Sequence, residues 1–161
     1  MALNEADTRA KLIDPSIRKV GWTEDLITRE ETAGAIEIIN GKPKRVSGRT
    51  DYTLRIKISS TAQPVAIGIL EAKAENIQAD NGLSQAKLYS STNRLNVPFA
   101  FSSNGHQFYE FDNFTKLTNG PKPMSEFPSP ESLRKRYEDN MGFALDSEKA
   151  KPLITPYSKG E

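Results

Sequence analysis

Two neighbouring stretches of the chain show different patterns of apolar and polar residues. In Asp51–Ile58 the even positions carry Tyr, Leu or Ile and the odd positions through 57 are polar, which predicts a strand with one buried face. Val65–Leu70 is uninterrupted by any polar side chain, which predicts the central strand of a sheet covered on both faces.

Capping and turn signals predict the remaining elements. The predicted helices are residues 5–13, a second from Asp14-Pro15 to near Gly21, 80–94, and one from Pro130 to about Asn140. The further predicted strands are Leu26–Arg29, Ala35–Ile39, Pro98–Ser102 and Gln107–Phe111, with turns at Asn40-Gly41-Lys42-Pro43 and Asn104-Gly105. We expect Trp22 to pack just beyond the second helix. This order predicts an α/β fold with a mixed central sheet flanked by helices.

A change in composition near residue 120 bears on domain boundaries. Four prolines, at 121, 123, 128 and 130, predict a connector ahead of the last helix. Residues 143–161 are mostly polar and show no core pattern. We therefore expect a domain over residues 1–142, followed by a linker or tail toward an absent domain.

The composition excludes several kinds of site but does not by itself identify the function. The 161 residues suit one domain, and 22 basic against 21 acidic residues leave a net charge of +1. The chain has no cysteine and one histidine, so disulfides, cysteine zinc sites and multi-histidine metal sites are excluded. No apolar run has the length of a membrane span, and the first residues lack a signal-peptide pattern, so we expect a cytoplasmic protein. Catalysis here would rely on carboxylates, lysine and hard cations.

One group of residues has the pattern of a divalent-metal site. Glu71 and Lys73 are two apart at the end of the apolar strand and point to the same side. Asp51 begins the strand before it and could lie beside them. Two adjacent carboxylates repel unless a cation lies between them, and Mg²⁺ accepts such oxygen ligands. The alternative is a solvated Glu-Lys pair at a strand end with Asp51 as a turn residue.

Several other residues are weaker candidates. Gln85 and Tyr89 share one helix face, where they could bind a phosphate or orient a carboxylate, or simply be partly exposed. His106 follows a turn and is expected at the surface. A basic cluster precedes Asp51 and could contact DNA or form a solvated hairpin; it contains Lys42, Lys44, Arg45 and Arg49. The aromatic residues of the last predicted strands, namely Phe99, Phe101, Phe108, Tyr109 and Phe111, are expected mostly in the core.

The order Asp51…Glu71-Ala72-Lys73…Gln85-Ala86-Lys87-Leu88-Tyr89 resembles the PD-(D/E)xK nuclease pattern with the Gln-x-x-x-Tyr motif of its RecB-like branch. The chain also resembles the nuclease domain of type I restriction enzyme R subunits over residues 4–140. The segments that carry this second resemblance are Asn4-Glu5-Ala6-Asp7-Thr8-Arg9, Leu12-Ile13-Asp14-Pro15, Gly21-Trp22, Gly82-x-x-Gln85-Ala86, Ser103-Asn104-Gly105 and Phe127-Pro128-Ser129-Pro130-Glu131.

The resemblance implies Mg²⁺-dependent cleavage of double-stranded DNA without sequence preference of its own, with Mn²⁺ as a substitute cation. It implies that Asp51 and Glu71 bind metal and that Lys73 is the catalytic lysine. Gln85 and Tyr89 would assist DNA positioning, and Glu5 would complete the acidic site. The implied partners are an ATP-driven motor domain of the same polypeptide and separate methyltransferase and specificity subunits.

Two features depart from that pattern. Asp51 follows Thr50 where the superfamily name has proline. No Gly-x-x-x-x-Gly-Lys-Ser/Thr sequence occurs, so ATP is expected to bind only the motor and not this chain. A catalytically silent nuclease fold used for DNA binding or subunit docking is the main alternative. A stand-alone nuclease of repair or defence is a third.

Overall fold

Eight strands and four α-helices occur in the part of the chain that the computed structural model describes, residues 1–32, 35–46, 48–58, 63–92, 95–142 and 144–145. The strands are β1 (Ile27–Thr32), β2 (Ala35–Ile39), β3 (Lys42–Val46), β4 (Arg49–Ile56), β5 (Val65–Ala72), β6 (Phe99–Ser103), β7 (Gln107–Asp112) and β8 (Leu117–Pro123). The α-helices are α1 (Glu5–Thr8), α2 (Asp14–Lys19), α3 (Leu83–Ser90) and α4 (Pro130–Met141). Short 3₁₀ helices cover Glu24–Leu26 and Met124–Glu126.

Six of these strands form one sheet in the order β1-β4-β5-β6-β7-β8, and β2 and β3 form a separate hairpin. The β5–β6 pair is parallel and the other neighbours are antiparallel. The predicted mixed α/β sheet is therefore confirmed. The last six residues of β5 are all buried, as its apolar sequence predicts.

The main hydrophobic core joins the first helices, the sheet and α4. The apolar side chains of β4, namely Tyr52, Leu54 and Ile56, form one side of this core. Ile13, Ile17 and Leu133 belong to the same core and are fully buried. Trp22 is also fully buried, and its indole Nε1 donates a hydrogen bond to the Pro128 carbonyl at 2.8 Å. The expected packing of Trp22 beyond the second helix is confirmed, and it ties that helix to the segment leading into α4.

The N-terminal helix is continuous where the sequence predicted two separate helices. Asn4 caps it by accepting a hydrogen bond from the Asp7 amide at 2.8 Å. A π-helical turn, Arg9–Ile13, then leads directly into α2, with Ile13 and Asp14 still in right-handed helical conformation. Pro15 has no N–H and therefore cannot donate a hydrogen bond to the turn that precedes it.

Other element boundaries differ from the predictions. The helix expected over 80–94 is only Leu83–Ser90, because residues 79–82 form turns; part of the predicted range lies outside the described residues. The first part of the connector predicted from residue 120 is the end of strand β8, all of whose residues are exposed; the rest, residues 124–129, does connect this strand to α4. An edge strand pairs on one side only and tolerates proline, so it lacks the alternation that reveals inner strands.

The β2–β3 hairpin confirms the turn at Asn40-Gly41, where both residues have positive φ, 53° and 77°. This backbone suits Asn-Gly and matches the twist of paired strands. Strand β3 itself was not predicted. At the other end of the chain, Leu145 is fully buried in the main core, so folded structure extends past the expected boundary at 142. No described helix is both long and apolar enough to cross a membrane.

Candidate active site

Strands β4 and β5 bring Asp51 and Glu71 together at the end of their ladder. The last backbone pair of the ladder is Tyr52 with Leu70, and beyond it the side chains take over the hydrogen bonding. The Asp51 amide donates to Glu71 Oε2 at 2.8 Å, and the Ala72 amide donates to Asp51 Oδ2 at 2.7 Å. The predicted convergence of the two carboxylates is therefore present in the fold.

Burial makes both carboxyl groups hard to ionise, and the charge of Asp51 adds to this effect at Glu71. Glu71 is 3% exposed. This burial, with the nearby charge of Asp51 and a smaller effect of Glu5, raises the pKa of Glu71 from its usual 4.5 to about 8, against the opposing effects of the Asp51 amide and Lys73. Burial also raises the pKa of Asp51, although the hydrogen bond from the Ala72 amide opposes it. Such a pair favours either a shared proton or a bound cation.

Two cationic side chains and a third carboxylate surround the pair. Lys73 is half-buried, and its backbone amide donates to the Ser103 carbonyl at 2.8 Å, which fixes where the side chain leaves the strand. The charges of Lys73 and Glu5 both act on the pKa values of Asp51 and Glu71. Arg9 Nη1 lies 3.5 Å from Asp51 Oδ1. The structure thus places predicted residues Glu5, Asp51, Glu71 and Lys73 in one site.

The start of α3 closes one side of the site through a glycine. A Cβ atom on Gly82 would lie 2.9 Å from Ser102 Oγ and 3.2 Å from both Glu71 Cβ and Lys73 Cε. The Gly82 amide donates to Ser102 Oγ at 2.9 Å, and Ser102 is the β6 partner of Glu71. Gly82 therefore permits close approach, and Ser102 holds the helix start against the strand that carries the carboxylates.

Gln85 and Tyr89 pair along α3 as their spacing predicts. Gln85 Nε2 donates to the Tyr89 hydroxyl at 2.8 Å. Gln85 is exposed, whereas Tyr89 is 5% exposed and packs in a second core cluster with Ile69 and Ala86. Within the described part of the chain, no hydrogen bond joins either residue to the carboxylates. Tyr89 anchors Gln85 about one helical turn beyond Gly82.

Comparison with known proteins agrees with this architecture. No family model matches the chain. Over 143 residues, 84% of the chain, it is 28% identical to the type I restriction enzyme EcoAI endonuclease subunit of Escherichia coli. A solved fragment of an HsdR subunit of a type I restriction enzyme from Vibrio vulnificus YJ016 matches 88% of the chain with a TM-score of 0.67 and 35% identity.

The homologues of this chain are type I restriction enzyme R subunits. The resemblance found in the sequence is thereby confirmed at the level of the family. The chain spans 17% of the length of the E. coli relative and 27% of the solved chain.

The donor set of this R-subunit homologue fits a hard divalent cation. Each carboxylate uses one oxygen for a backbone N–H, which leaves Asp51 Oδ1 and Glu71 Oε1 as the second oxygens. Among the described residues, no group of three or more His, Cys, Asp or Glu side chains is arranged as a metal cluster. A cation that keeps several waters and takes two protein carboxylates matches this set, as Mg²⁺ does.

The remaining candidates of the R-subunit homologue lie elsewhere or outside the described side chains. His106 is exposed as expected and pairs through Nε2 with Glu75 Oε2 at 2.8 Å. In the basic cluster, Lys42 and Arg49 are exposed, whereas the side chains of Lys44 and Arg45 lie outside the described residues. The aromatic residues are buried or half-buried as expected, namely Phe99, Phe101, Phe108, Tyr109 and Phe111.

Sequence reasoning gave no site role to Arg9, Gly82 or Ser102, although the first two lie in segments that carry the family resemblance. A weak signal existed for each. Arg9 follows Glu5 by one helical turn, Gly82 lies near the start of a predicted helix, and Ser102 is a polar residue at the end of an apolar strand. Only the three-dimensional contacts bring them to the carboxylates.

Proposed function

We propose that this domain is the Mg²⁺-dependent endonuclease part of a type I restriction enzyme R subunit and hydrolyses phosphodiester bonds of double-stranded DNA. The observation that carries the proposal is the convergence of Asp51 and Glu71 beside Lys73: the Asp51 amide donates to the Glu71 carboxylate, and the Ala72 amide donates to the Asp51 carboxylate. The relationship to R subunits supports the restriction role. In this proposal the site belongs to the PD-(D/E)xK type and has no sequence specificity of its own.

Asp51 and Glu71 would hold the cation through their second oxygens. When bound, Mg²⁺ supplies a Lewis acid for the phosphate and lowers the pKa of a bound water. Lys73 places an ammonium group beside the same carboxylates, where it can orient the attacking water and stabilise negative charge that develops on the phosphoryl oxygens. Glu5 adds a third carboxylate that can hold a water by hydrogen bonding.

Gln85 is placed to contact DNA rather than the metal ligands. One of its amide N–H groups is held by Tyr89, and the exposed remainder of the amide is available to a phosphate oxygen. Because Tyr89 is buried, this contact would be made from a fixed position on α3. We assign Gln85 to DNA positioning and Tyr89 to its support.

The wider context follows from the family and is part of the proposal. The motor domain of the same polypeptide would bind ATP and move DNA, and specificity and methyltransferase subunits would select the site. The relatives are several times longer than this chain, which leaves ample length for a motor. A cytoplasmic location is consistent with the absence of cysteine.

The direct test uses Lys73→Ala and Asp51→Asn in the full-length subunit assembled with its partners. We expect DNA cleavage to fall by at least 100-fold, an order-of-magnitude figure for loss of charge stabilisation, while ATP hydrolysis persists. Lys57→Ala is the matched control, because Lys57 is an exposed lysine paired with Asp25 at 3.4 Å. Cleavage at the wild-type rate by both site variants would contradict the proposal.

A catalytically silent docking module is the second candidate, and one contact favours it. Arg9 already neutralises Asp51 in part, as a site without metal would require. Calorimetry with Mn²⁺ separates the two functions: micromolar to millimolar binding that Asp51→Asn abolishes supports the nuclease. No Mn²⁺ binding, even with DNA present, supports the docking module.

A further inference from the structure

We infer that Arg9 is a DNA-phosphate ligand that pairs with Asp51 only until a divalent cation takes its place. The inference rests on the proposed nuclease function and adds a residue to it. It concerns a cation that sequence analysis left without a site role.

The Arg9–Asp51 contact is longer than the other arginine ion pairs found among the described residues. Arg9 makes one contact, Nη1 to Oδ1 at 3.5 Å. Arg55 makes two contacts with Glu31 at 2.9 and 3.0 Å, and Arg136 makes two with Glu110 at 2.9 and 2.6 Å. Bidentate pairs of this kind are the strong, structural form of the interaction.

Exposure does not explain this difference. The Arg9 side chain is 26% exposed, which lies between Arg55 at 21% and Arg136 at 32%. All three arginines are therefore similarly shielded from solvent, yet only Arg9 holds its carboxylate by a single long contact. Its guanidinium keeps most of its donors for another ligand.

The backbone of Arg9 is fixed even though its guanidinium is loosely held. Arg9 begins the π-helical turn, and its carbonyl accepts a hydrogen bond from the Asp14 amide. Turns of this kind are frequent at functional sites. A fixed backbone and a guanidinium with unused N–H donors suit a side chain that changes partners.

The charges around the site favour this exchange. Three carboxylates (Glu5, Asp51 and Glu71) face two cations, Arg9 and Lys73. With a divalent cation bound to ionised Asp51 and Glu71, the positive charges of the site would exceed the negative charges. Arg9 would then lose its attraction to Asp51 and gain one for a phosphate beside the metal.

The first arm of the test is calorimetry of Mn²⁺ binding to this chain. In Arg9→Ala we expect unchanged or up to about fivefold tighter binding, because a partly exposed ion pair no longer competes for Asp51. Arg18→Ala is the matched control, since Arg18 lies on the following helix and pairs with the exposed Glu24. Weaker Mn²⁺ binding by Arg9→Ala would mean that Arg9 supports the metal ligands and would overturn the inference.

The second arm measures cleavage by the assembled full-length enzyme at saturating Mg²⁺. We expect Arg9→Ala to lose on the order of tenfold or more in rate, with partial recovery in Arg9→Lys. We also expect the salt dependence of DNA binding to lose about one unit of slope. Thermal melts check that Arg9→Ala folds. If Arg9→Ala does not fold, the same measurements are made on Arg9→Lys.

The two proposals fail in different ways. Wild-type cleavage and salt slope in Arg9→Ala would overturn the role of Arg9 alone. Absence of Mn²⁺ binding and cleavage in the wild type would overturn the nuclease function as well.

Discussion

Glu71 accepts, through its side chain, the hydrogen bond of the Asp51 backbone amide at 2.8 Å. The Asp51 side chain in turn accepts a hydrogen bond from the Ala72 amide of the neighbouring strand. The end of the β4–β5 ladder and the acidic site are thus one structure: the carboxylates satisfy the backbone groups where the two strands stop pairing. A change in the ionisation of Glu71 should therefore alter the free energy of unfolding as well as catalysis.

The first prediction concerns stability and pH. Glu71 has a pKa of about 8 in the folded chain and about 4.5 otherwise. Between these values the unfolded chain loses the proton while the folded chain keeps it. The metal-free protein should therefore become less stable as pH rises from about 5 to 8, by up to a few kcal/mol. Asp51 adds to the same trend, because its pKa is raised too.

Thermal melts of the wild type and Glu71→Gln between pH 5 and 9 test this prediction. The variant should lose most of the slope, and saturating Mn²⁺ should reduce the slope in the wild type. Glu126→Gln, which changes an exposed glutamate, should keep the wild-type slope. A Glu71→Gln profile parallel to the wild type would show that Glu71 is not the titrating group.

The second prediction concerns the support of the site by Ser102. In Ser102→Ala the buried Gly82 amide loses its acceptor, which should cost about 1–3 kcal/mol of unfolding free energy. Cleavage should also fall, because the start of α3 is no longer held against Glu71. Urea denaturation and cleavage assays measure both effects. Ser91→Ala is the control, since that exposed hydroxyl lies just past the end of α3; equal losses in both variants would refute the role of Ser102.

The third prediction separates Gln85 from the metal ligands. Gln85→Ala should lower cleavage severalfold and leave Mn²⁺ affinity unchanged, because the amide is exposed and held by Tyr89, not by the carboxylates. Tyr89→Phe should have a smaller effect of the same kind, since only the hydroxyl is lost. Calorimetry and single-turnover cleavage give the two values. A parallel loss of metal affinity would place Gln85 in the metal site instead.

The fourth prediction concerns the link between α2 and α4. Trp22→Phe removes the indole hydrogen bond to Pro128 and leaves a cavity in the main core. We expect a loss of roughly 2–4 kcal/mol in unfolding free energy, followed by circular dichroism because Trp22 is the only tryptophan. Phe114→Leu, at a half-buried position beside the core, should cost much less. Equal costs would mean that Trp22 does not join the two helices.

The sequence predicted the centre of the molecule better than its edges. Val65–Leu70 is apolar because β5 is covered on both faces, so both the strand and its central place in the sheet could be predicted from the sequence. The convergence of Asp51 and Glu71 followed from the ends of two adjacent strands. Strand β8 was missed because its residues are exposed and form an edge. A strand whose residues are all exposed carries no burial pattern from which to predict it.

The supporting residues of the site could not be predicted for a different reason. Gly82 and Ser102 act through a contact between the start of α3 and β6, twenty residues apart. Arg9 reaches Asp51 across 42 positions of the sequence. Such pairs are set by tertiary packing, and no local spacing encodes them. The boundary expected at 142 likewise could not include Leu145, whose burial depends on the core it packs against.

The measurement that tests the central claim most directly is a crystal of this chain soaked in Mn²⁺ near pH 8 and recorded at the manganese absorption edge. We predict an anomalous peak bonded to one oxygen of Asp51 and one of Glu71, with the Arg9 guanidinium moved away from Asp51. A fully soaked crystal with no peak between these carboxylates, and with Arg9 still on Asp51, would contradict the account.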